Sequence, residues 1–376
     1  MTRTITAFLS VLFFIPPNVS ADERKPRDVS AELRTIVVQS GMPGLTAAIV
    51  DTHGLVAIGA AGVRRKGSPA LIGVGDKMHL GSCTKAMTAT VIARLVEADK
   101  LSWDSRPSES FADIWEDSKP GWIRVTLTQL LTHSAGAPHD LHDYGLWNKL
   151  WFHEGSPREQ RIALVQGVFA HPPKGEPGTR YIYSNSGYAI AGAMAEQATG
   201  KDWETLMREL LFEPLGMTTA GFGAPGSTEK LDQPRGHTED GDTVEPGRDA
   251  DNPPSMAPAG TVHCSMEDWA RFVKLHLDAE AGKLRLLTAD SFRTLHTPAN
   301  ALKPAYAMGW GITEREWAGG KTLTHNGTNT MWFSAVWMAP LKGFAVMAAC
   351  NQGGKKAEKA VDDAISTLIL DHTGKR

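Results

Sequence analysis

Apolar positions recur at helical spacing from Asp28 to Ser40, with Leu33, Ile36 and Val37 on one face, and Gly41-Met42-Pro43-Gly44 ends the run. Two apolar stretches follow, Leu45 to Val50 and Leu55 to Ala61, joined by Asp51-Thr52-His53-Gly54 in a hairpin pattern. The far end mirrors this. Trp332 to Met338 and Gly343 to Cys350 are β-rich and are split by Ala339-Pro340-Leu341-Lys342; a helix is predicted from Lys356 to Leu370, with Val361, Ile365 and Leu368 on one stripe. Strands at both ends, each with a helix outside them, predict one antiparallel sheet built from both termini. The middle reads as helices: Lys85 to Asp99, Thr128 to Thr132, Arg158 to Val168, Ser186 to Thr199, Trp203 to Leu211 and Met266 to Leu277. A polar loop from Gly221 to Asn252 is long enough to imply a functional role or mobility. No internal repeat is visible. The predicted architecture is α+β: a discontinuous sheet domain from residues 22–80 and 300–376, an inserted mostly helical domain over 81–299, and a cleft between them.

The first segment follows other rules. One Arg precedes the apolar run Ile5 to Ile15, and Val19-Ser20-Ala21 offers the small residues of a cleavage site. That is the order of a secretory signal over residues 1–21, too short to span a bilayer comfortably. The expectation is an exported protein, periplasmic or secreted, with no stable membrane insertion after processing; a retained anchor is the alternative.

Composition narrows the function classes. The 376 residues are 41% hydrophobic and 22% charged with a formal net charge of -3, ordinary for a globular protein with a substantial core. No basic run or stacking platform points to nucleic acid. Three cysteines, Cys83, Cys264 and Cys350, allow at most one bridge within the chain and have no metal-ligand spacing.

The strongest chemical signal is Gly81-Ser82-Cys83-Thr84-Lys85, running straight into a stretch that is apolar nearly all round, hence a buried helix. Ser82 would stand at its start, where free N–H groups favour developing negative charge. Lys85 would lie one turn on, on the same face. Burial disfavours an ammonium, so such a lysine can accept a proton. The string alone is weak: Ser227-Thr228-Glu229-Lys230 repeats it in a polar loop, and a helix cap beside a surface lysine is the plain alternative. Two more strings add weight. Tyr183-Ser184-Asn185 precedes another helix, and His325-Asn326-Gly327-Thr328 lies on a strand beginning near Lys321, where Gly327 permits close approach of a substrate backbone.

In this order, Ser-x-x-Lys, Tyr-x-Asn and His-x-Gly, the chain resembles the serine β-lactamase and penicillin-binding superfamily, and within it the class C-like branch. Leu130 to Gly136, Pro258-Ala259-Gly260 and Met308 to Gly311 resemble it too. The resemblance spans nearly the whole chain beyond the signal. It implies a β-lactamase/transpeptidase-like fold and a serine hydrolase needing no cofactor. Carried over residue by residue, it implies Ser82 as nucleophile and Lys85 with Tyr183 as its base system, Tyr183 also protonating the leaving group. Asn185 would position the substrate amide or Lys85, and the N–H groups of Ser82 and Thr328 would form the oxyanion hole. The implied substrate is a small molecule or peptide: a D-Ala-D-Ala-type cell-wall peptide, a carboxylic ester or, further off, a β-lactam.

One position departs from the pattern. Class C lactamases begin the third motif with Lys, whereas His325, with an ordinary pKa of about 6.5, is mostly neutral at pH 7. Anionic β-lactams are therefore expected to be poor substrates, and Tyr183 less acidic than in a lactamase. If His325 bound substrate as a cation, acylation by anionic substrates would strengthen as pH falls. Lys321 is roughly 13 Å back along the strand, and Lys355 and Lys356 read either as a carboxylate contact or, more plainly, as a solvated helix start. Two rival classes remain in view: a metal site at His133, His139, Asp140, His142 and His153, whose spacing fits no common zinc pattern, and a non-catalytic binding module on the same fold. Of the eleven tryptophans, Trp147, Trp151 and Trp332 are the expected cleft-shaping ones; the others are read as packing.

Overall fold

The computed structural model describes residues 25–374, so the signal expected over residues 1–21 lies outside the described residues. A seven-stranded sheet runs in the order Arg27–Asp28, Gly54–Gly62, Gly44–Asp51, Phe344–Cys350, Phe333–Ala339, Gly320–Thr328, Gly311–Arg315. Every neighbouring pair is antiparallel except the short edge strand Arg27–Asp28, which pairs parallel with Gly54–Gly62. The two termini thus meet at the centre of the sheet, where Leu45 faces Cys350 and Asp51 faces Phe344.

The central strands read as continuous apolar runs because both faces are covered. Leu45, Ala47 and Ile49 face the helices Ser30–Ser40 and Lys355–His372, together with Leu33, Ile36, Val361, Ile365 and Leu368. Ala48, Val50, Ala345 and Met347 face the opposite way, into the larger core shared with the helix Met266–Glu280. The hairpin turn is set by Asp51, whose Oδ1 accepts the N–H groups of His53 at 2.6 Å and Gly54 at 3.0 Å, closing an Asx turn.

The helix Thr84–Glu97 is buried almost throughout despite three threonines, because each hydroxyl is matched. Thr84 Oγ1 accepts Val262 N at 3.1 Å, Thr88 Oγ1 donates to Pro258 O at 2.8 Å, and Thr90 Oγ1 donates to Ala86 O at 2.8 Å. Alongside it, the helix Asn185–Thr199 is locked to its neighbours by Arg161, fully buried between Glu196 at 2.6 Å and Glu204 at 2.7 Å. An unpaired charge there would cost several kcal/mol (roughly 3–5), so this ion cluster fixes how the helix that begins at Asn185 sits.

The stretch expected as a single polar loop from Gly221 to Asn252 holds short strands, Gly221–Phe222, Gly236–His237 and Thr243–Val244. All three cysteines are buried free thiols. Among the described residues no helix is long and apolar enough to cross a membrane.

Candidate active site

A 3-10 turn, Gly81–Cys83, presents Ser82 at the mouth of the buried helix Thr84–Glu97. The Ser82 side is partly open, whereas Lys85 is completely buried. Lys85 Nζ stands 2.9 Å from Ser82 Oγ, 2.7 Å from Asn185 Oδ1 and 2.7 Å from Ala259 O. Burial holds this amine well below the ordinary lysine range. A neutral amine has two N–H donors and one lone pair. The Ala259 carbonyl and the Asn185 carbonyl oxygen can only accept, so they take the two protons and the lone pair is left facing the Ser82 hydroxyl.

Tyr183 is set in place by the segment expected to resemble the family, Leu130 to Gly136. His133, in a left-handed backbone conformation (φ 58°), accepts Ile182 N through its carbonyl at 2.8 Å and Ser184 N through Nδ1 at 3.1 Å. His139 Nδ1 donates to Tyr183 O at 2.8 Å. Ser184 caps the next helix by accepting Gly187 N at 3.1 Å and anchors to Pro138 O at 2.7 Å. The Tyr183 ring lies with its centroid 4.9 Å from Lys85 Nζ. Burial pushes its phenol up, against the opposing pull of the nearby Ser82 hydroxyl, so it is protonated at neutral pH.

Four of the five tyrosines in the chain gather here. Tyr181, Tyr188 and Tyr306 join Tyr183 around His133, with ring centroids 4.3 to 5.6 Å from its imidazole. Of these rings Tyr183 and Tyr188 lie over the fully buried Lys85 Nζ, with centroids 4.9 and 5.5 Å away.

His325 is turned to a use that the sequence did not reveal. Tyr306 Oη donates to its Nε2 at 2.9 Å and its Nδ1 donates to Asn326 O at 2.6 Å, so both ring nitrogens are committed within the fold. Desolvation, above all, lowers its pKa to about 3, although the Asn326 carbonyl pulls the other way. The imidazole is therefore neutral throughout the physiological range, and the reading of His325 as a cation for substrate does not fit its surroundings. Lys321 pairs with Glu280 at 3.2 Å and Lys355 with Glu358 at 2.7 Å, each on an exposed side chain.

Gly327, read from the sequence as making room for a substrate backbone, also makes room for the protein itself. A Cβ there would fall onto the Leu80 carbonyl oxygen and 2.8 Å from Ser82 N. A Cβ on Gly81 would in turn strike Thr328 N. The two glycines let the serine turn and the strand end touch backbone to backbone, which brings the Ser82 and Thr328 amides side by side. Along Gly320–Thr328 the neighbouring strand Gly311–Arg315 pairs only as far as Thr324, so among the described residues its edge from His325 to Thr328 carries no partner strand on that side.

The other candidates are dispersed. Ser227 and Lys230 sit in a loop gathered by Arg235, whose Nη2 donates to both backbone carbonyls at 2.6 and 2.9 Å. Asp140 binds His142 at 2.7 Å and His153 Nδ1 accepts Gly155 N at 2.9 Å, so the histidines weighed as metal ligands are engaged separately. Trp332 is buried, 6.4 Å from the His79 ring. Trp147 stacks on His142 at 5.2 Å, and Trp151 lines a cavity of about 400 Å³ whose walls include Phe222 and Asp251 but not Ser82.

Buried neutral histidines make stability depend on pH. His325 is lowered to about 3 and His263 to about 4, both chiefly by burial. In the unfolded chain such side chains titrate near 6.5, so below that pH the unfolded state binds protons that the folded state refuses. This stabilisation is fully present above about pH 6.5 and is lost as pH falls toward 4. Melting temperatures measured from pH 8 to pH 4 are expected to hold down to about 6.5 and then drop; a flat profile over that window would refute the buried neutral state.

A serine, a buried amine, a phenol and neighbouring backbone amides gathered in this way are an arrangement able to carry acyl transfer. The chain belongs to the Beta-lactamase family, whose profile matches residues 27–370. Members of this family are serine hydrolases. It is 27% identical over 351 residues to penicillin-binding protein 4 of Amycolatopsis lactamdurans, covering 89% of this chain and 87% of that one. It is 28% identical over 162 residues to the lovastatin esterase of Penicillium rubens, 39% of this chain and 40% of the esterase. The octameric penicillin-binding protein homologue from Pyrococcus abyssi has the same β-lactamase/transpeptidase-like fold, with a TM-score of 0.73 at 22% identity over 90% of this chain and 77% of that one.

Proposed function

We propose that the protein is an exported serine hydrolase that forms an acyl-enzyme at Ser82 and prefers ester or amide substrates without an essential carboxylate. The observation that carries this reading is the buried Lys85 amine, 2.9 Å from Ser82 Oγ with its other two partners able only to accept. Lys85 takes the Ser82 proton as Oγ bonds to the carbonyl carbon, and the carbonyl oxygen becomes an anion between the Ser82 and Thr328 N–H groups. The Tyr183 phenol gives its proton to the departing oxygen or nitrogen and recovers one from the Lys85 ammonium. Water then attacks the ester, with the same groups running in reverse, and frees Ser82. The open edge from His325 to Thr328 offers backbone groups to an extended substrate.

Substrate preference follows from the neutral, internally bonded His325. No permanent cation stands at the start of the third motif to hold a carboxylate, which favours esters and neutral amides over β-lactams. The similarity to an esterase supports this side, and the similarity to a penicillin-binding protein keeps D-Ala-D-Ala-type peptides as the alternative. Export rests on the signal read over residues 1–21.

Rapid-mixing kinetics with a p-nitrophenyl ester, a D-Ala-D-Ala peptide and a penicillin test the reading. An ester burst of one equivalent per chain is expected, with kcat/KM for the ester well above that for the penicillin. For the anionic substrates kcat/KM is expected to show no rise between pH 8 and pH 5. A rise through pH 6 seen with anionic but not neutral substrates would restore a cationic His325 and overturn the proposed preference.

A further inference from the structure

The oxyanion site depends on two backbone segments from distant parts of the chain, and one buried carboxylate is bonded toward both. Asp251 Oδ2 accepts the His79 Nε2 proton at 2.8 Å. His79, wholly buried, accepts Gly81 N at Nδ1 at 3.1 Å, which fixes its proton on Nε2. Asp251 Oδ1 accepts Asn329 Nδ2 at 3.1 Å and Asn252 N at 2.8 Å. Asn329 Oδ1 in turn accepts Met331 N at 3.2 Å and so sets the bend that follows Thr328. Gly81 adjoins Ser82, and Asn329 adjoins Thr328. Each arm of the network therefore ends one residue from an amide expected to face the oxyanion.

We infer that Asp251 is a positioning residue for the oxyanion site, acting through His79 and Asn329 to hold the Ser82 and Thr328 amides at a fixed separation. The inference rests on the acyl-enzyme reading of Ser82. Its physical basis is that the named donors to the buried Asp251 carboxylate are neutral: the His79 imidazole, the Asn329 side-chain amide and the Asn252 backbone N–H. Burying a carboxylate this way is costly, and the arrangement makes sense where the return is geometric precision. Hydrogen-bond donors at an oxyanion must meet the oxygen at about 2.7–3.1 Å, so small displacements of either segment are felt in the transition state and little in substrate binding.

Asp251→Asn tests the carboxylate with little change of shape. The amide has one oxygen to meet the N–H groups of His79, Asn252 and Asn329, and its NH2 must face one of them. If it faces His79, the imidazole proton moves to Nδ1 and confronts Gly81 N–H, donor against donor. Asn329→Ala removes the second arm and keeps the test open if the first variant folds poorly. Acylation is to be measured for a p-nitrophenyl ester and its thionoester counterpart, since sulfur is a weak hydrogen-bond acceptor and reports less of the oxyanion contacts.

The expected result for both variants is acylation slowed about 10- to 100-fold with KM within about twofold, and a rate ratio of oxygen to sulfur ester that falls toward one. An unchanged ratio, with Ser82 still acylated, overturns the inference and leaves the hydrolase reading intact, even if melting temperature drops. Ester turnover that persists in a Ser82→Ala control overturns the acyl-enzyme reading and the inference with it.

Discussion

Replacing Lys85 by Met is expected to slow acylation of Ser82 by about 10²- to 10⁴-fold, the usual contribution of a positioned general base. Met fills the buried volume without a charge, so the helix Thr84–Glu97 should remain folded. The change strands two acceptors, Asn185 Oδ1 and Ala259 O, at a cost of about 1–3 kcal/mol for each if no water replaces the amine. Lys85→Arg is expected to be as inactive, for a different reason: a guanidinium stays protonated and cannot accept the serine proton. In the native protein the acylation rate should rise with pH through the depressed titration of Lys85, because only the neutral amine acts as a base. Stopped-flow acylation as a function of pH checks both statements. Substantial activity in Lys85→Met, with the native pH profile, would remove Lys85 from the mechanism.

Gly327→Ala is expected to be the most damaging single methyl group in the site. The added Cβ meets the Leu80 carbonyl and lies 2.8 Å from Ser82 N, both backbone atoms that no rotamer change can move. The strand must retreat from the serine turn, which separates the Ser82 and Thr328 amides. Losing one oxyanion donor elsewhere costs about 10²- to 10³-fold in kcat, and the same order is expected here. Overpacking of this kind also costs about 1–3 kcal/mol of stability, so melting temperature and kcat are to be measured together. A stable variant with native kcat would show that the close contact at Gly327 has no part in catalysis.

The scaffold was legible where local pattern and burial agree. The hairpin at Asp51–Gly54, the strands on either side of Pro340 and the two terminal helices follow from period-2 or helical spacing broken by turn residues. Gly311–Arg315 carries no strand signal in the sequence, because it is a half-exposed edge with Thr, Glu and Arg in five residues and no apolar alternation. The helix Leu146–Trp151 is too short to show periodicity, and the helix from Trp203 continues through a π-turn, Arg208–Phe212, that no simple repeat foretells.

The site divides in the same way. Ser82 and Lys85 are three residues apart on one turn, and Tyr183 and Asn185 share one helix entrance, so short strings reveal them. Groups that act across the chain leave no such trace: His79 meets Asp251 from 172 positions away, and Tyr306 meets His325 from 19. His325 is the instructive case. Its residue type shows a titratable group near neutrality, but its burial and its two bonds, which only the fold supplies, decide that it stays neutral.

The most direct test of the account is intact-mass and peptide mapping after exposure to a fluorophosphonate, comparing the native protein with Ser82→Ala. The account predicts one adduct per chain, carried by Ser82 and absent from the variant. An adduct on another residue, or equal labelling of Ser82→Ala, would contradict it.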